Sequence, residues 1–85
     1  MFTDRRRALI RVLIYPVQFE TNPLDAVGRV LTQIARTDHP PAEYSAAIHA
    51  ALLSTESLSS LIEQPHPEPI VRAYLTELQR HLGSD

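Results

Sequence analysis

Ala8-Leu9-Ile10-Arg11-Val12-Leu13-Ile14-Tyr15 is apolar at seven of its eight positions. An element with no polar face must be covered by the rest of its chain or by a second copy of it. Ile10, Val12 and Ile14 alternate with Leu9, Arg11 and Leu13, which also fits a strand. Thr3 as a cap, Asp4 in the first turn and the lack of any strand-like partner run favour a helix. That helix should end near Tyr15, because Pro16 disfavours helical geometry in the residue before it. The expected fold is therefore all-α: a compact bundle of four to five short helices, with the first central or at a dimer seam. A central first helix predicts burial of Leu9, Val12 and Leu13, together with Leu31, Ile48 and Leu78. A dimer seam predicts an apolar patch left bare on the monomer.

Outward from this run, start and stop signals divide the chain. Pro16 to Thr21 is a connector, with Val17 and Phe19 expected to turn inward. Asn22-Pro23-Leu24-Asp25 opens a second helix: Asn caps, Pro suits the first turn and Asp favours the helix dipole. Leu24, Val27, Leu31 and Ile34 form its stripe, widened by Val30, up to about Arg36. Gly28 within that helix predicts close approach of a neighbour, since glycine there costs about 1 kcal/mol against alanine. Pro40-Pro41 starts a third helix whose face is Tyr44, Ala47, Ile48, Ala51 and Leu52. A bend at Ser54 and a short fourth helix through Leu58, Leu61 and Ile62 are expected next. Gln64-Pro65-His66-Pro67-Glu68-Pro69 reads as a stiff, exposed polyproline bridge. The last helix presents Ile70, Val71, Tyr74, Leu75, Leu78 and Leu82, with Gly83 as its stop.

The chain has 85 residues, which suits a single domain spanning 1–85. It has no Cys, so disulfides and thiolate metal sites are excluded. All eight basic residues are Arg; a GC-rich, bacterial coding origin is the expected reason. The net charge of −2 is uneven. Residues 1–11 carry +3 through Arg5, Arg6, Arg7 and Arg11 against Asp4, and residues 12–71 carry −5. An acidic body argues against broad nucleic-acid binding. Arg6-Arg7 before an apolar run looks like an export signal, but Arg11 and Pro16 break the run and no Ala-x-Ala follows. The run is too short to span a bilayer, so a cytoplasmic protein is expected.

Chemistry-bearing motifs are sparse. His39, His49, His66 and His81 include no i, i+4 pair and no His-Glu-x-x-His, so no metal is expected. None of the serines lies in a Gly-x-Ser-x-Gly elbow, and two glycines cannot form a phosphate-cradling loop. Neither an enzyme nor a bound cofactor is expected. Glu56-Ser57-Leu58-Ser59-Ser60-Leu61-Ile62-Glu63 resembles the Asp-Ser-Leu signature of acyl carrier proteins. The resemblance implies phosphopantetheine on Ser57 at a helix start. It departs from that pattern in having Glu for Asp and no long preceding loop.

The leading expectation is a small non-enzymatic protein-binding module, of the immunity, antitoxin or adaptor kind. It would meet a basic partner through an acidic helical surface made by Glu43, Glu56, Glu63 and Glu68. The alternative is a dimeric nucleic-acid-associated regulator using Arg5, Arg6, Arg7 and Arg11.

Overall fold

Each helix begins where the chain supplies a cap or a proline, and the computed structural model describes residues 2–38 and 40–82. Thr3 is extended, and its hydroxyl accepts the N–H of Arg6 at 3.3 Å, opening α1 (Asp4–Ile14). The Asn22 side chain accepts the N–H of Leu24 at 3.1 Å, and Pro23 begins a 3-10 turn that runs into α2 (Val27–Ile34). Extended Pro40 precedes α3 (Pro41–Leu53). The last helix, α4 (Glu68–Leu82), carries Pro69 in its first turn, where a missing N–H costs nothing. Short 3-10 turns lie at Tyr15–Val17 and Leu58–Ser60. The fold is an all-α bundle of four helices, without strands among the described residues.

The centre is α3, not α1. It packs against α1 on one side and α4 on the other. Tyr44, Ala47, Ile48, Ala50 and Ala51 are buried, and the alanine methyls admit neighbours on both flanks. One stripe of α1 enters the core, formed by Leu9, Ile10, Leu13 and Ile14. Val12 remains 55% exposed, which corrects the expectation of burial that went with a central first helix. From α4 come Val71, Tyr74, Leu75 and Leu78. Tyr74 also donates its hydroxyl to the Leu13 carbonyl at 2.6 Å, tying the last helix to the first. That oxygen is buried, and burial pushes the phenol's pKa well above its ordinary value, against a weaker downward pull from Arg29. Phe2, Val17, Ala26, Val27, Val30, Ile34 and Leu58 complete the core cluster.

Other local expectations need correction. Val17 is buried, but Phe19 is 90% exposed. The N–H of Glu20 bonds back to the Val17 carbonyl, so Phe19 lies on the tip of a tight turn. In α2 the buried residues are Val27, Val30 and Ile34, while Leu24 stays exposed. Gly28 faces open space, and a Cβ added there meets nothing within 4 Å, so no helix approaches it. The helix ends at Ile34, short of Arg36. Leu58 to Ile62 forms no fourth helix beyond a single 3-10 turn, closed by the Leu61 N–H on the Leu58 carbonyl and capped at its start by the Glu68 carboxylate, which accepts the N–H groups of Leu58 and Ser59. Gly83 lies outside the described residues, as does His39.

Candidate protein-binding face

Glu68 is structural. One carboxylate oxygen accepts the Ser59 N–H at 2.9 Å and the Ser57 hydroxyl at 3.3 Å. The other accepts the Leu58 N–H at 3.1 Å and Arg72 Nε at 2.7 Å. Burial pushes this acid up, but the N–H groups of Ser59 and Leu58, Arg72 and the Ser59 side chain outweigh it and bring its pKa to about 2. The other guanidinium nitrogens of Arg72 reach the carbonyls of Leu52, Ser54 and Glu56 at 3.2, 3.1 and 3.0 Å. A single ion pair thus seats the α3 C-terminus and the loop after it.

Of the remaining carboxylates proposed for a partner, two are held by arginines distant in sequence. Glu56 receives Arg7 in a two-pronged contact at 3.0 and 2.6 Å, which lowers its pKa and raises that of Arg7. Arg7 also reaches Asp4 and lies over the Phe2 ring, 5.1 Å from its centre. Glu43 pairs with Arg5 at 3.2 Å. Glu63 is exposed and forms no ion pair among the described residues. The four acids therefore do not form one free face, and Arg5 and Arg7 face carboxylates of their own chain. Arg6 is half-buried. Arg11 is exposed, gives Nε to the Leu61 carbonyl at 3.0 Å and makes no ion pair among the described residues.

Part of what the bundle leaves uncovered is apolar. The outer side of α1 carries Val12 at 55% and, just past its end, Tyr15 at 62% exposure. Ile62 stands beside them, so Arg11, Val12, Tyr15 and Ile62 line one open groove. It continues into a second, lined by Tyr15, Gln18, Phe19, Ile62, Glu63, Gln64 and Pro65. Two charges without an ion pair among the described residues border it, Arg11 in the first part and Glu63 in the second.

The far wall of this groove is stapled down. The Gln64 amide donates to the carbonyls of Ser59 and His66 at 2.9 and 3.0 Å and accepts the His66 N–H at 2.7 Å. A ring nitrogen of His66 meets the Val17 carbonyl at 2.9 Å. Pro65 and Pro67 point outward while Gln64 and His66 are half-buried, so the bridge is exposed on alternate residues only.

Sequence reasoning allowed for a bare apolar patch on the first helix, where Val12 and Tyr15 stand, but missed Phe19 and Ile62 as part of the same surface. The available signal was Phe19, an aromatic in a connector that belongs to no helical stripe. Ser57 precedes the 3-10 turn at Leu58–Ser60, and its hydroxyl lies within 3.3 Å of Ser59 and Glu68 and 2.9 Å of Ser60. No three His, Cys, Asp or Glu side chains gather as a metal site among the described residues. No described helix is long and apolar enough to cross a membrane. Comparison with protein-family models, with curated proteins and with solved structures returns no match.

Proposed function

We propose that this chain is a small non-enzymatic protein-binding module whose contact face is the groove of Val12, Tyr15, Phe19 and Ile62. The observation that carries this reading is the 90% exposure of Phe19 next to Tyr15 and Val12. Isolated apolar residues are ordinary on a surface, whereas contiguous ones with a charged rim mark interfaces. Aromatics are also the residues on which interface energy concentrates. Of the acidic set, Glu63 alone keeps its charge free at this rim and can meet a basic group on a partner. The other three stabilise the bundle.

The test is retention of binding proteins from the source cell on immobilised wild-type and Phe19→Asp chains. A partner held by the wild type and lost from the variant, with unchanged helical circular dichroism, supports the groove. Equal retention on both chains sinks it.

A further inference from the structure

A partner for this groove must offer an apolar centre, a basic group opposite Glu63 and an acidic group opposite Arg11. The groove itself meets all three demands. Tyr15 and Ile62 belong to both of its halves, with Arg11 bordering one and Glu63 the other. A two-fold axis through Tyr15 and Ile62 exchanges the two parts, bringing Arg11 of each copy towards Glu63 of the other. We propose that the occupant of the groove is a second copy of this chain, in a two-fold dimer with α1 antiparallel to its mate. This rests on the reading of the groove as the contact face.

Two further observations support the assignment. A C2 interface must be self-complementary, and the charged residues lining this groove are Arg11 and Glu63, neither in an ion pair among the described residues. A net charge of −2 leaves little self-repulsion to overcome. The bare parts of Tyr15, Phe19 and Val12 amount to about 400 Å² per copy, taking about 200 Å² for a whole aromatic side chain. With the rim, a dimer covers about 1,000 Å² in total, at the lower edge of specific interfaces. A weak, concentration-dependent dimer is the expected form.

Sedimentation equilibrium of the full chain, from about 10 µM to about 1 mM, reads this directly. The wild type should pass from monomer to dimer within that range. Phe19→Asp, at a position too exposed to disturb folding, should weaken association about tenfold or more. Glu63→Arg and Arg11→Glu should each weaken it by opposing like charges, and the double exchange should recover most of the loss. A wild type still monomeric at about 1 mM overturns the second copy as occupant. That result leaves the groove reading to the retention test, where a different protein lost from Phe19→Asp would keep it. A dimer indifferent to Phe19→Asp, or a double exchange no better than the singles, overturns the geometry.

Discussion

Replacing Glu68 by Gln keeps the shape of the side chain and removes half of its acceptors. Each carboxylate oxygen takes two donors, from Ser59 and Ser57 on one side and from Leu58 and Arg72 on the other. With an amide, one pair of donors faces another NH2 group. The depressed acidity gives the size of the effect. A fall from 4.5 to about 2 corresponds to about 3 kcal/mol, at about 1.4 kcal/mol per decade. The side chain is 31% exposed, so water screens part of this, and a loss of about 2 kcal/mol is expected at neutral pH. For a domain of this size that lowers the melting temperature by roughly 8 to 16 °C. The sign of the pH dependence follows from the lowered folded-state value. The contribution is complete above the unfolded pKa near 4.5 and is lost as pH falls from there towards 2. Urea denaturation of both chains between about pH 7 and pH 2.5 should show the gap close with acid. A gap below about 0.5 kcal/mol at pH 7, or one constant with pH, would refute this account of Glu68.

Four further outcomes are expected. Tyr74→Phe strands the buried Leu13 carbonyl and should cost about 1–2 kcal/mol by urea denaturation, with no change in helix content. Gly28→Ala meets no obstruction and should raise stability by about 0.4–1 kcal/mol, seen as a higher melting temperature. Leu58→Ala empties a fully buried site beneath the 3-10 turn and should cost about 2–4 kcal/mol, measured calorimetrically. Phe19→Ser should change chemical stability of the dilute protein by less than about 0.5 kcal/mol, since little of that ring is covered.

Local signals carried much of the fold. Thr3, Asn22-Pro23 and Pro40-Pro41 start helices because each acts on its own neighbouring backbone. Val27, Val30 and Ile34 enter the core as their spacing requires, and so do Val71, Tyr74, Leu75 and Leu78. The outer side of α1 was not legible, because a helix apolar all round does not say which side its neighbours leave bare. Nor was the central place of α3, since alanine is equally at home inside and outside. Long-range pairing hid the fate of the acids: Arg5 reaches Glu43 and Arg7 reaches Glu56 only once α1 lies along α3. Phe19 misled for a related reason, because an apolar residue that the fold leaves bare looks the same in sequence as one that it covers.

Sandwiched between two helices, α3 has no room to drift alone. Ala47 and Ala51 are wholly enclosed, and a single extra methylene there would force the flanking helices apart. Any lineage that enlarges one of these residues must trim a facing side chain on α1 or α4 in step, so relatives of this protein should show size-compensated pairs across those seams. The solvent side of α2, Gly28 included, is free to change one residue at a time.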